Sequence, residues 1–402
     1  FLNIISFYCK ILKNLFTKME NEKILQFLSD FNIEIRKENF LKLCNLIKKN
    51  KIKKDNEFLG FINAHIHTFH SFNYKNWSPL RIVFEGWKKG LLYLGTVDFD
   101  TLTGLEETLW AGELLNLKVI SGFETRVFLE EMKDKVINSP NEPGIFYLCG
   151  KGFKKKPGEK TLEKNFFDNL KEIAQKRNKK IIEKINNYLK EIKIDYEKDV
   201  LPLTPSKNPT ERHIIYAYYI KSNEVLKEKK EIFWSDILGI EKEKFIELRE
   251  KNIGDLYEKI RQKLIKFGGP GYIKSESTDF PTFDRVVEMI ERCDGLPIGT
   301  WLDGTNEGEK NPETLLELLK AKRIRGITII PERNWNIKDE NEKKLKIEKL
   351  HQFMTICQKM NMPVICGTEM NKYGQPFVDN FTNPEISKYL RYFIESFEKL
   401  FL

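Results

Sequence analysis

Apolar residues recur with helical spacing from residue 20 to residue 54, and beyond that point the pattern changes. Short apolar runs rich in β-branched residues then alternate with amphipathic segments of helix length. Such runs, bounded by turn residues, predict buried strands. Seven of them predict strands at 59–64, 92–97, 118–121, 144–148, 296–301, 326–330 and 363–366. Strands that alternate with helices are typical of β/α units around a parallel sheet.

A long stretch without strands separates the fourth and fifth predicted strands. It carries helical patterns at 161–192, 209–230, 242–266 and 282–293. Segments of this length within a compact unit are usually functional or separately folded. We therefore expect a distorted seven-stranded β/α barrel of the TIM type in two parts, interrupted by a helical insertion. The expected boundaries are 1–54 for an N-terminal helical extension, 55–150 and 294–402 for the two parts of the barrel, with a C-terminal helix in the second, and 151–293 for the insertion.

The positive charge of the chain is unevenly distributed. There are 68 Lys and Arg against 59 Asp and Glu, a net charge of +9. Residues 151–193 hold 14 basic against 6 acidic residues, or +8, whereas residues 55–125 hold 5 against 9, or −4. This distribution does not describe a uniformly basic nucleic-acid binder. It suggests a positive insertion over an acidic barrel mouth, since we expect the insertion to leave the fourth strand on the face that carries the chemistry.

Other features of the composition narrow the class of protein. The sequence contains no run of 18 apolar residues, so no membrane-spanning helix is predicted. The six cysteines lack CxxC spacing, which argues against a disulfide framework and favours reduced thiols in a cytoplasmic protein. Residues 1–18 are apolar and basic but lack a cleavage pattern, so we interpret them as an artefact of the assigned start or a surface helix rather than a signal peptide.

Charged or imidazole groups end six of the seven predicted strands. In a β/α barrel the carboxyl ends of the strands carry the chemistry. The fourth strand offers only Cys149. The groups on the other strands are His65 and His67, Asp98 and Asp100, Glu124, Asp303, Glu332 and Arg333, and Glu369 and Asn371.

His65 and His67 form an HxH pair, and on an extended chain their side chains point to the same side. Imidazoles that converge with carboxylates favour Zn, Mn or Fe over Ca or Mg. An isolated HxH is common at strand ends, and the carboxylates at matching strand ends are what favour a metal site. His70 either joins this group or is solvated.

Three segments carry a family resemblance: NAHIHTFHSF, SPLRIVFEGWKKGLLYLGTVDFDTLTG and VISGFET. They resemble the PHP (polymerase and histidinol phosphatase) family of metal-dependent phosphoesterases, over 60–125 well and over 363–371 loosely. The family patterns are D-x-H-x-H-T, T-D-H-D-x-x-x-G, G-x-E and a late G-S-D-x-H. The resemblance implies a distorted seven-stranded barrel that hydrolyses phosphate esters with up to three metal ions.

The chain departs from this family at several positions. Phe99 stands where the family has a histidine, and Glu369 and Asn371 replace the late Asp and His. Histidines that the family takes from strands four and five are absent. The remaining ligands, His65, His67, Glu124 and Glu369, suffice for one divalent ion, or for two if Glu124 bridges them, and the donor types favour Zn, Mn or Fe. The residues that carry over by position are His65, His67 and Glu124, with Asp98, Glu369 and Asn371 as substituted positions.

The insertion contains a second group of charged residues. Asn208, Pro209 and Glu211 predict a helix N-terminus with Asn208 as N-cap, and Arg212 and His213 follow in its first turn. A helix N-terminus favours anions. The segment is either an anion site or a capped helix with surface charges.

We therefore expect a metal-dependent phosphoesterase that cleaves a small phosphorylated substrate through a metal-activated water. Expected metal ligands are His65, His67 and Glu124, completed by Glu369 or Asn371. Asp98 or Asp303 is expected to bind metal or orient the water, and Arg333 and Arg212 to bind the phosphate. The alternative is a non-catalytic barrel that binds an anionic ligand. Nucleic-acid processing ranks last, membrane association is not expected, and the oligomeric state stays open.

Overall fold

The computed structural model describes residues 22–57 and 59–402. Segment 1–18 lies outside the described residues. Seven strands form one sheet in chain order. They are β1 (Ile62–His67), β2 (Tyr93–Phe99), β3 (Lys118–Phe128), β4 (Ile145–Lys151), β5 (Leu296–Trp301), β6 (Gly326–Ile329) and β7 (Val364–Cys366).

The sheet curves into a nearly closed barrel. β1, β2 and β3 pair in parallel, as do β5, β6 and β7. The segment after β7 returns to β1, where the amide of Glu369 donates to the carbonyl of His65 and the amide of His67 donates to the carbonyl of Glu369, both at 2.8 Å. The expected distorted seven-stranded barrel of the TIM type is confirmed.

β4 runs antiparallel to both of its neighbours. Lys151, its last residue, pairs with Gly122 in the amino-terminal half of β3 and with Leu296, the first residue of β5. The expectation that the insertion leaves on the face of the metal site is therefore wrong, because the reversed strand ends at the opposite face.

Helices surround the sheet and fill the segment between β4 and β5. A helical stretch at 22–27 precedes the first of them. The helices are α1 (Ile33–Lys48), α2 (Pro79–Lys89), α3 (Leu105–Leu115), α4 (Leu162–Leu189), α5 (Glu211–Val225), α6 (Lys230–Leu238), α7 (Lys242–Lys251), α8 (Ile253–Leu264), α9 (Phe283–Arg292), α10 (Pro312–Ala321), α11 (Glu332–Trp335), α12 (Glu340–Lys359), α13 (Pro384–Ser387) and α14 (Leu390–Phe401).

The inserted chain returns to the barrel mouth through α4. This helix has 28 residues, so at 1.5 Å per residue it spans about 42 Å. Beyond it, the Thr204 hydroxyl donates to the carbonyl of Phe69 at 3.0 Å and the Asn208 amide donates to the carbonyl of Phe99 at 2.6 Å. These bonds fix the loop before α5 to the loop that follows β1 and to the end of β2.

The insertion has a hydrophobic core of its own, separate from that of the barrel. Trp234 and Phe245 are fully buried there, among apolar side chains of α4, α5 and α8. The Nε1 of Trp234 donates to the hydroxyl of Ser222 at 2.8 Å, which satisfies the buried indole. Among the described residues, no helix is long and apolar enough to cross a membrane.

Candidate metal centre

Three side chains converge inside the barrel, close to its mouth. One ligand atom each of His65, His67 and Glu124 lies within 4.8 Å of the other two. The Oε2 of Glu124 is 3.6 Å from Nε2 of His65 and 3.3 Å from Nε2 of His67. All three residues are buried. The predicted convergence of these three residues is therefore present in the structure.

The strand geometry explains this convergence. His65 and His67 lie within β1 rather than after it, and their i, i+2 spacing places both imidazoles on the inner face. Glu124 lies in the middle of β3, whose length was underestimated because the polar residues 124–126 break its apolar run. Cys149 pairs with Glu124 across the antiparallel register and is fully buried. Burial raises the pKa of the Cys149 thiol well above its usual value.

A relay through Ser71 orients the ring of His67. The Ser71 hydroxyl donates to Oδ1 of Asp98 at 2.6 Å and lies 3.3 Å from Nδ1 of His67. A hydroxyl whose proton is engaged can accept from Nδ1–H, so this arrangement leaves a lone pair on Nε2 of His67. Asp98 also accepts from the amide and hydroxyl of Thr68, at 2.9 and 2.7 Å. Asp98 thus supports the site through Ser71 and holds the loop after β1.

Lys151 contacts His65 from inside the barrel, and sequence reasoning missed it. Its side chain is fully buried, and its Nζ donates to the carbonyl of Ala64 at 2.8 Å and lies 3.3 Å from Nδ1 of His65. Burial and the positive charge of Lys151 lower the pKa of His65 to about 4. The sequence feature that could have identified Lys151 is its position directly after the apolar run 144–150, because a lysine buried at the end of a strand needs a polar partner.

Glu124 remains an anion in this environment. Burial favours its neutral form, but the neighbouring imidazoles of His65 and His67 outweigh burial and hold the pKa of Glu124 well below its usual range. A carboxylate between two imidazoles is a typical donor set for a transition-metal ion.

Phe99 occupies the space beside His67. The two ring centroids lie 4.4 Å apart with an interplanar angle of 28°. The phenyl ring covers one face of the imidazole and brings no ligand atom. This contact limits the number of ligands at the centre.

Glu369 lies at the mouth but is bonded to a cation. Its two carboxylate oxygens accept from the same Nη2 of Arg333, at 2.9 Å each, and Gln375 donates to one of them at 3.3 Å. Burial raises the pKa of Glu369, and Arg333 more than offsets this, so that the pKa is lowered. Asn371 lines the cavity nearby. Glu369 does not join the three converging ligand atoms.

A cavity of about 1300 Å³ opens above the centre. Arg333, Arg212 and Asp303 all line it, together with His65 and Glu124. Asp303 accepts from the hydroxyl of Thr305 at 2.6 Å and pairs with Lys346 at 3.0 Å. The structure therefore places Asp303 on the wall of the cavity rather than among the three ligand atoms.

The helix that carries Arg212 begins later than predicted. The N-cap is Thr210 and not Asn208, because His213 at the third position completes a capping box by accepting from the Thr210 amide at 3.0 Å. Arg212 pairs with Glu258 at 2.8 Å and lies over the ring of Phe72. His213 is buried, and burial lowers its pKa to about 3.

The chemistry of the donor set fits a divalent metal ion. Among the described residues, Nε2 of His65 and Nε2 of His67 are buried and lack a hydrogen-bond partner. Buried polar atoms without partners are rare in native proteins and require an explanation. A metal ion bound by these two nitrogens and Glu124 supplies one.

Comparison with known proteins assigns the fold to a class. No protein-family model matches the chain, and no curated protein is similar to it in sequence. Solved structures do match. One is an inferred metal-dependent phosphoesterase from Bifidobacterium adolescentis, with 16% identity and a TM-score of 0.50 over 82% of this chain and 96% of that chain.

A second similar structure is an amidohydrolase from Chromobacterium violaceum with bound sulfate and no metal. It has 14% identity and a TM-score of 0.52 over 82% of this chain and 95% of that chain. At such low identity the likeness shows a shared barrel fold and nothing about the reaction.

Proposed function

We propose that the protein is a metal-dependent hydrolase that cleaves a small phosphate ester. The observation that carries the proposal is the buried set of His65, His67 and Glu124, with two imidazole nitrogens free of hydrogen bonds. The proposed ligands hold one divalent ion, either Zn, Mn or Fe. An ion in such a site activates a water molecule for attack on phosphorus and polarises a phosphoryl oxygen.

The residues around the centre have separate roles in this proposal. Ser71 and Asp98 hold the His67 ring in the tautomer that presents Nε2, and Lys151 and Thr328 contact the far side of His65. Arg333 lies at the cavity wall with its side chain 41% exposed, where its guanidinium can bind a phosphate oxygen.

The test combines metal content with turnover. We expect mass spectrometry to find about one metal ion per chain in the purified protein. The His65→Ala/His67→Ala double variant should lose both the ion and the hydrolysis of p-nitrophenyl phosphate and of a nucleotide panel. His351→Ala is the matched control, because His351 bonds to Glu385 and Tyr389 away from the barrel mouth.

Thermal melts of both variants separate loss of the ion from loss of the fold. A folded wild-type protein that contains no metal and gains none on reconstitution contradicts the proposal. Unchanged phosphatase activity in the double variant contradicts it equally.

The pairing of Glu369 with Arg333 favours a second candidate function. With that carboxylate neutralised and Phe99 over His67, the barrel mouth suits binding of an anionic ligand without catalysis. This candidate predicts that a phosphate ester raises the melting temperature but is not turned over. Multiple turnovers after metal reconstitution reject it.

A further inference from the structure

A side pocket of about 190 Å³ adjoins the main cavity, between β3 and the insertion. Asp100, Thr125, Arg126, Ala174 and Arg177 line both spaces, so the pocket is an extension of the main cavity. Its apolar wall consists of Leu170, Ile173, Ala174, Ile273, Phe280 and Pro281. A volume of about 150 Å³ is sufficient for a benzene ring.

Two guanidinium groups lie where the pocket meets the cavity. Arg126 and Arg177 contact the same carboxylate, that of Glu142, at 3.2 and 3.6 Å. Glu142 also accepts from the hydroxyls of Ser139 and Ser275. One fully engaged carboxylate therefore serves two cations.

The hydrogen bonds of Arg177 are incomplete. Its Nη2 donates to the carbonyl of Ile273 at 3.1 Å, but its Nε has no acceptor among the described residues. Lys176 and Lys180 line the same pocket, and the opposing acids are Asp100, Asp279 and the Glu142 carboxylate that both arginines contact. The junction therefore has more positive than negative groups, which favours an anion.

The position of Arg126 relates the pocket to the metal centre. Arg126 follows Glu124 by two residues in β3, so both side chains leave the same face of the strand, about 7 Å apart along it. The Arg126 guanidinium lies over the ring of Phe280, 4.6 Å from its centroid, and thus faces the apolar wall. A ligand group held here lies beside the metal centre, not within it.

We propose that this side pocket binds a small amphipathic acid, whose anionic group lies on Arg126 and Arg177 and whose apolar body fills the pocket. The anion is a carboxylate or a phosphate. If the proposed function holds, this acid is the non-reacting end of the substrate, which selects esters that carry a second negative charge and a short apolar group.

Binding is tested on the full chain after removal of metal, by calorimetric titration with phenylacetate, phenyl phosphate and neutral benzyl alcohol. At least one of the two anions is expected to bind at one site per chain. The anion that binds more tightly shows whether the pocket prefers a carboxylate or a phosphate. Arg177→Met should weaken binding of this anion by at least about tenfold, which is the contribution of one charge-assisted hydrogen bond to the affinity. Ala174→Leu, which fills the pocket, should weaken it as well. Arg285→Met is the matched control, because Arg285 is exposed on α9, and it should leave binding unchanged.

Several results would overturn the proposal. The first is that neither anion binds saturably. The second is that the folded Arg177→Met variant binds the anion with the same affinity as the wild-type protein. The third is that benzyl alcohol binds with the same affinity as the anions. Loss of binding in the His65→Ala/His67→Ala variant would place the probe in the metal centre and overturn it too. The titration requires neither metal nor turnover. Its result therefore does not depend on whether the protein is a hydrolase.

Discussion

A buried ion pair attaches the N-terminal helix to the barrel and gives the sharpest prediction for stability. The Nε of Arg36, on α1, donates to Oε2 of Glu107, on α3, at 2.7 Å, and a second short bond joins Nη2 to Oε1. The side chains are only 3% and 5% exposed. His70, in the loop after β1, lies 3.4 Å from the same carboxylate.

The magnitude follows from the pKa of Glu107. Burial raises this pKa, but the bonds from Arg36 and His70 lower it to about 2, from an ordinary value of 4.5. This difference corresponds to about 3 kcal/mol of stability. Because the folded-state pKa is lowered, the stabilisation is present above pH ~5 and is lost as the pH falls towards ~2.

Arg36→Met is expected to lower the free energy of unfolding by about 3 to 5 kcal/mol at pH 7, because it leaves a buried carboxylate without its partner. Urea unfolding followed by circular dichroism measures this loss. At pH ~4 the difference in the free energy of unfolding between the wild type and the variant should be smaller than at pH 7. The Arg36→Met/Glu107→Leu double variant should regain most of the loss, since no unpaired charge remains.

An exposed pair on the same helix serves as the control. Lys42 and Glu38 are 53% and 67% exposed, so Lys42→Met should leave the unfolding curve unchanged. A loss below about 1 kcal/mol in Arg36→Met would refute the reasoning. So would a double variant as unstable as the single one.

Three further predictions concern the metal centre. Gly367→Ala places a methyl group 2.5 Å from Cβ of His65 and should weaken metal binding measured by competition with a chelator, whereas Gly158→Ala meets only an ordinary contact at 3.5 Å and should not. Lys151→Met removes a cation beside His65 and should tighten metal binding by about tenfold in the same assay; unchanged affinity would contradict this. Phe99→His places a nitrogen beside His67 and should raise the metal content from about one to about two ions per chain, and an unchanged content would count against Phe99 as the limiting contact.

The strands could be predicted from sequence because each is a short apolar run between turn residues. The bounds of β5, 296–301, agree with the structure, and those of the other strands differ by one to three residues at an end, except that β3 extends seven residues beyond its predicted end. Polar side chains that point into the barrel caused the errors in β1 and β3. His65 and His67 end an apolar run in the sequence but lie inside β1, and Glu124 lies inside β3.

The direction of β4 could not be predicted, because strand pairing depends on contacts distant in sequence. Parallel and antiparallel strands have the same local pattern here, and only the pairing registers of β4 with β3 and β5 show the reversal. The ion-pair partners of Glu369 and Arg212 could not be predicted from the sequence either. Arg333 and Glu258 lie 36 and 46 residues away from them in the chain.

The insertion between β4 and β5 also constrains the order in which the barrel can form. Leu148 of β4 pairs with Gly299 of β5, and the whole insertion lies between them. The sheet therefore cannot be completed on the ribosome until β5 has been made, long after β4 has emerged. Until then β4 has an unpaired edge, the kind of edge that invites pairing with another chain. The insertion, which has its own core, can collapse during that interval and keep the two halves of the sheet close enough to pair.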